Sequence, residues 1–177
     1  MTKYLSLNDP EYSKIENAIL ETYQNACICW IEEVENKELL GKYTAYKNTF
    51  VEPNEKRLFH GTNKENINSI IENGFDPTRN KASAYGLGTY FSTRAAYSKD
   101  YSLKGKKSKK GNPENDIAYL FVCDVVTGKT KQGSGLAKIP PGFNSFTDNV
   151  DKPDMYVVDK LEACFPRYVV GFYPYTK

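Results

Sequence analysis

The residues best suited to chemistry in this chain are few and closely spaced. Its single histidine, His60, ends an apolar run, Arg57-Leu58-Phe59-His60, and Gly61 follows at once. A residue without Cβ lets a ligand reach the main chain, so the N–H and C=O of Gly61 can pair with a carboxamide. About thirty residues on, Gly88-Thr89-Tyr90-Phe91-Ser92 is followed by Tyr97-Ser98 and Tyr101. A tyrosine on a strand end, then a serine and a tyrosine from the next turn, places two flat rings and a hydroxyl around one cleft. Such a cleft grips a flat, polar ligand by stacking and hydrogen bonding rather than by a charged acid–base pair.

The elements that must carry these groups follow from local patterns. Asp9-Pro10-Glu11 predicts a helix start, with Tyr12, Ile15, Ile19 and Tyr23 at helical spacing. Ala26 to Val34 predicts a strand. Asn36 caps a second helix carrying Leu39, Leu40, Tyr43 and Tyr46, and residues 51–56 read as a loop. The histidine strand is expected to stop at Gly61-Thr62. Asn63 is expected to cap a third helix with Ile67, Ile70 and Ile71 inward and Gly74 at its end. After a loop from Asp76 to Gly88, Thr89-Tyr90-Phe91 predicts a short strand, and Ser92 or Thr93 caps a helix through Arg94-Ala95-Ala96-Tyr97-Ser98. Ile117 to Thr127 is apolar almost throughout and predicts a strand buried on both faces. Gly128 to Asn149 reads as a long irregular excursion. Tyr156 to Val158 and Arg167 to Tyr173 predict two more strands, with a turn near Pro166. Helices come early and strands late, without βαβα alternation, which argues for one α+β domain over residues 1–177 with a mostly antiparallel sheet.

Composition narrows the function further. The chain has 177 residues, 40% apolar and 26% charged, which excludes a disordered chain or a collagen-like repeat. No apolar run is long enough to span a bilayer, and the N-terminus lacks the apolar core of a leader, so no membrane role and an intracellular location, cytoplasmic or nuclear, are expected. A net charge of +2 does not by itself argue for nucleic acid. Four cysteines without a CxxC pair read as reduced, mostly buried small hydrophobes. With one histidine in the chain, no metal site is expected. Lysines 104, 106, 107, 109 and 110 read as a solvated insertion, with a guide for a phosphate backbone as the alternative.

Taken in order, Leu58-Phe59-His60-Gly61-Thr62, Tyr85-Gly86-Leu87-Gly88-Thr89-Tyr90-Phe91-Ser92 and Ala96-Tyr97-Ser98-Lys99-Asp100-Tyr101 resemble the catalytic domain of the poly(ADP-ribose) polymerase family. Ile31 to Asn36, Asp148 to Pro153, Tyr156-Val157-Val158 and Phe165 to Val170 extend the resemblance over nearly the whole chain, and it is closest to the mono(ADP-ribosyl)transferase branch. The resemblance implies an ADP-ribosyltransferase fold, a split pair of antiparallel sheets with flanking helices holding NAD+ in the cleft between them. It implies that His60 binds the adenosine ribose, that Gly61 and Ser98 hold the nicotinamide carboxamide, and that Tyr90 and Tyr101 flank the nicotinamide ring. Thr62 and Asn66 match positions on the adenosine side. NAD+ would serve as co-substrate without a metal. Its nicotinamide leaves as an already cationic group through an oxocarbenium-like state, so a rigid grip replaces a general acid.

Polymerases of the family carry glutamate at a third motif position, where it binds the nicotinamide-ribose and activates the growing end. In Pro153-Asp154-Met155-Tyr156-Val157-Val158 the residue there is Met155, whose thioether is neither a base nor a good acceptor. One residue on a strand moves a side chain to the other face, so a register shifted by one would put Asp154 rather than Met155 toward the ribose. The expected activity is therefore transfer of single ADP-ribose units to a protein acceptor or to the chain itself, by a monomer. Fewer than sixty residues precede His60, too few for the family's helical regulatory subdomain, so no activation by broken DNA is expected. The alternatives are a catalytically silent NAD- or partner-binding module of the same fold and transfer to a nucleic-acid end.

Overall fold

A computed structural model describes residues 1–80, 84–103 and 117–173. The lysine-rich segment at 104–110 lies outside the described residues. Among the described residues there are nine strands and four helices: β1 (Thr2–Tyr4), α1 (Pro10–Thr22), β2 (Cys27–Val34), α2 (Lys37–Lys47), β3 (Glu55–Thr62), α3 (Ile67–Asn73), β4 (Thr89–Ser92), α4 (Ala95–Leu103), β5 (Ala118–Val126), β6 (Thr130–Gln132), β7 (Ser145–Thr147), β8 (Met155–Val158) and β9 (Cys164–Tyr173). The α+β expectation holds. The strands form one sheet in the order β1-β2-β9-β5-β3-β4-β8-β7-β6, antiparallel except for the β6–β7 pair. The resemblance implied two sheets; among the described residues there is one. Its halves, however, meet at a single register pair, Phe59 with Ser92, whereas β3 and β5 pair over the whole of Glu55 to Thr62.

Local chemistry explains most elements. The Asp9 side chain accepts from Glu11 N–H with Pro10 behind it, and Asn36 accepts from Leu39 N–H, so both early helices begin where a capping side chain satisfies a terminal donor. Alternation along β3 sends Leu58 to one face and Phe59 to the other. Leu58 joins Leu39, Tyr43, Ile67, Ile70, Phe91 and Phe121 beneath α2 and α3. Phe59 joins Ile15, Ile19, Ala95 and Leu120 beneath α1 and α4. Strand β5 is buried along its whole length because helices cover both faces.

Several boundaries differ from expectation. Strand β3 does not stop before Gly61; Gly61 and Thr62 still pair with Leu120 and Tyr119. The Asn63 side chain makes no capping bond, and a single 3-10 turn over Lys64–Asn66 precedes α3. Helix α4 runs to Leu103, and Ser92 Oγ accepts from Arg94 N–H at its start. Pro166 lies inside β9 rather than in a turn, beside a register shift that absorbs Arg167 as a bulge. The 128–149 segment contains β6 and β7. Cys27 and Cys29 are exposed, while Cys123 and Cys164 are buried, and all four are free thiols.

One packing detail sets the position of the site. An ideal Cβ at Gly61 would lie 1.7 Å from the Ser98 carbonyl oxygen and 3.3 Å from Ser102 N. Helix α4 therefore rests directly on the β3 backbone, and only glycine permits the approach. The Ser102 hydroxyl accepts from Tyr119 N–H at 2.7 Å, tying the same helix to β5. Gly61→Ala forces strand and helix apart; it should lower unfolding stability by about 3 kcal/mol, at the upper end of the overpacking range. A urea denaturation midpoint equal to that of the parent chain would show that the contact does not constrain the helix.

Candidate active site

Beyond the Phe59–Ser92 pair no rung joins β3 to β4, and side chains bridge the gap instead. His60 Nδ1 donates to the Tyr90 carbonyl at 2.7 Å. Ser98 Oγ donates to the Phe59 carbonyl at 3.1 Å. Backbone groups two residues apart on a strand face the same edge, so the N–H and C=O of Gly61 point with the Phe59 carbonyl toward the opening. The cavity at this opening measures about 780 Å³, within the range of cofactor and small-ligand pockets. Its walls include His60, Gly61, Thr62, Asn66, Tyr90, Ser98, Tyr101 and Met155, all eight residues singled out from the sequence.

Each group is held in a defined state. The His60 ring packs edge-on against Phe75 at 4.8 Å and beside Phe91 at 5.6 Å. Burial pushes its pKa below the usual imidazole value, partly offset by the bond to the Tyr90 carbonyl. A carbonyl only accepts, so Nδ1 carries the proton and the neutral ring keeps Nε2 as an acceptor. Tyr90 is fixed at its far end: its hydroxyl donates to Gly86 C=O at 2.7 Å and accepts from Tyr85 N–H at 3.0 Å. Gly86, with φ of 117°, supplies the turn that brings this loop to the phenol. Asn66 Nδ2 donates to Thr62 Oγ1 at 3.1 Å, so these two polar side chains form one unit.

Met155 opens β8 opposite Ser92 and is buried among the cavity walls. Asp154 instead faces outward, half exposed, with a carboxylate oxygen 3.9 Å from Arg94. The strand register thus puts the thioether, not the carboxylate, at the opening. Asp148 Oδ1 fixes that register by accepting from Asp154 N–H at 3.1 Å and Met155 N–H at 3.0 Å.

Several further wall residues have no role assigned from the sequence. Tyr97 lines the cavity with Tyr101; their hydroxyls lie 2.8 Å apart and their rings 5.5 Å apart. Burial, and then the bond to Tyr101, push the Tyr97 pKa up. The i,i+4 spacing of the two tyrosines was the available signal. Phe75, which fixes the His60 ring, and Asp76, Arg79 and Asn80 come from a segment read only as the end of a helix and a loop. Among the described residues no group of three or more His, Cys, Asp or Glu side chains could hold a metal ion, and no helix is long and apolar enough to cross a membrane.

Residues 9–162 match the family model of the poly(ADP-ribose) polymerase catalytic domain. The chain belongs to that family. It is 30% identical over 183 residues to the human protein mono-ADP-ribosyltransferase PARP14, covering 93% of this chain and 10% of that protein. Against human mono-ADP-ribosyltransferase PARP12 the identity is 26%, over 95% of this chain and 25% of the relative. Against human mono-ADP-ribosyltransferase PARP11 it is 25%, over 92% of this chain and 56% of the relative. The chain therefore spans between a tenth and just over half of these relatives.

Because His60 is the only histidine, its C2 proton gives one imidazole resonance. Its midpoint should fall below the ordinary value of about 6.5. The depressed value means that unfolding takes up a proton between the two pKa values, so stability is full above about pH 6.5 and declines as pH falls toward the folded value. A resonance titrating at or above the ordinary value would contradict the buried neutral ring.

Proposed function

We propose that this chain is an NAD+-dependent mono-ADP-ribosyltransferase, moving one ADP-ribose unit to a protein side chain with release of nicotinamide. The observation that carries this reading is Met155 at the cavity wall, where the polymerases of the family carry a glutamate. Elongation needs a carboxylate to activate the hydroxyl of a growing chain, and a thioether cannot accept that proton. The names of the three relatives point the same way.

The residues present fit the co-substrate. A carboxamide offers two N–H donors and one accepting oxygen. The Gly61 C=O can receive one donor, and the Gly61 N–H and Ser98 hydroxyl can serve the oxygen once the Ser98 proton turns from the Phe59 carbonyl. The Tyr90 ring, clamped by the 85–86 loop, offers a rigid flat wall. The neutral His60 Nε2 can accept from a ribose hydroxyl. Bound NAD+ supplies the glycosidic bond to be broken and a cationic leaving group that departs without an acid. The chain's own part is to hold both ends of the dinucleotide, orient the reacting carbon toward the acceptor and keep water out. All of these are matters of positioning, consistent with the scarcity of ionisable groups in the walls. The fold of the site in two sheet halves, single-domain organisation and a monomeric state belong to the same reading.

Incubation with labelled NAD+ followed by a denaturing gel tests it. Discrete labelled bands are expected, with His60→Ala lowering the label about tenfold or more through loss of a ligand hydrogen bond and of the bridge to Tyr90. Polymer smears from the wild-type chain would overturn the mono assignment. Binding of NAD+ without nicotinamide release would identify the silent module.

A further inference from the structure

Among the described residues the cavity walls hold one cationic side chain, Arg79, and no lysine; His60 is neutral. A dinucleotide carries two negative charges on its central diphosphate. Bringing that group out of water without a compensating cation is costly, and the wall carboxylate of Asp76 adds to the cost. Arg79 lies on the cavity wall. It ends the turn Pro77–Arg79, which follows Phe75, the ring packed on His60. It precedes Asn80, whose Nδ2 donates to Gly88 C=O at 3.0 Å, two residues before Tyr90. Arg79 is thus flanked in the chain by the supports of the two groups assigned to opposite ends of NAD+.

We propose that Arg79 anchors the diphosphate of the dinucleotide, exchanging the carboxylate of Asp76 for phosphate oxygens. The inference rests on the reading of this cavity as an NAD+ site. Arg79 Nε now lies 3.5 Å from Asp76 Oδ2, with the two side chains 69% and 45% exposed. An ion pair this open contributes little, so giving it up costs little. A guanidinium fork meets phosphate oxygens in two parallel bonds, which an ammonium cannot reproduce. The turn holds its shape without the pair: Asp76 Oδ1 accepts from Thr78 N–H at 2.9 Å and from Thr78 Oγ1 at 2.6 Å, and Pro77 fixes the backbone.

The test compares wild type, Arg79→Gln and Arg79→Lys by NAD+ affinity from calorimetry and by steady-state nicotinamide release, with nicotinamide alone as a control ligand. Arg79→Gln should raise Kd and KM for NAD+ about tenfold, the loss of one charge-assisted contact, with kcat within about twofold. Arg79→Lys should recover part of the loss. Added salt should weaken NAD+ binding to wild type more than to Arg79→Gln. Nicotinamide should bind all three alike, since it carries no phosphate. Unchanged NAD+ affinity in Arg79→Gln overturns the proposal, as does an equal loss for nicotinamide, which marks a structural role. NADP+ separates the two phosphate sources: a loss confined to NADP+ would assign Arg79 to a 2′-phosphate and overturn it. Wild-type chain that binds no NAD+ sinks the reading of the site and this inference with it; wild-type binding that Arg79→Gln leaves intact sinks the inference alone.

Discussion

The structure turns on one interrupted ladder. Strands β3 and β4 share a single backbone pair, Phe59 with Ser92, and then part. Continuous pairing would have consumed the N–H and C=O of Gly61 in the sheet. Separation leaves them facing a cavity, but it also removes the bonds that would hold the two halves in place. Side chains hold them instead. His60 reaches the Tyr90 carbonyl across the gap, and Ser98 reaches the Phe59 carbonyl from the helix above. The groups that keep the cleft open are therefore the same groups that line it. Glycine at position 61 is required by this arrangement twice over, for the exposed peptide and for the helix pressed upon it.

The electrostatic character of the cavity is subdued. Its histidine is held neutral by burial, its strand-end residue is a thioether, and most of its polar wall groups are amides and hydroxyls. Such a pocket is poorly equipped to donate or abstract protons and well equipped to orient a ligand. That matches the proposed reaction, whose leaving group is already charged and whose demand is alignment. The nearest carboxylate on β8's approach, Asp154, is turned away by strand register, and Asp148 secures that register through two backbone N–H groups. In the proposed reading, subclass within the family rests on a one-residue choice of face.

Much of this was legible in the amino-acid order. Asp9-Pro10 and Asn36 announce α1 and α2 because capping is local chemistry, and β5 announces itself because a strand covered on both faces must be apolar. The residues around the cleft were legible because their types and order are distinctive. What stayed hidden depends on tertiary contact. Gly61-Thr62 reads as a stop, yet pairing with β5 carries the strand through it. Pro166 reads as a turn, yet a bulge accommodates it within β9. The short strands β6 and β7 exist only because they pair with each other and, through β7, with β8. Phe75 gave no signal, since its role comes from what the end of α3 brings beside His60.

The most direct test of the account is the structure of the chain bound to nicotinamide, the smallest ligand that carries the carboxamide. The oxygen should accept from the Gly61 N–H and the Ser98 hydroxyl, with an amide N–H donating to the Gly61 C=O. Nicotinamide bound elsewhere, with the Gly61 peptide left to solvent, would contradict it.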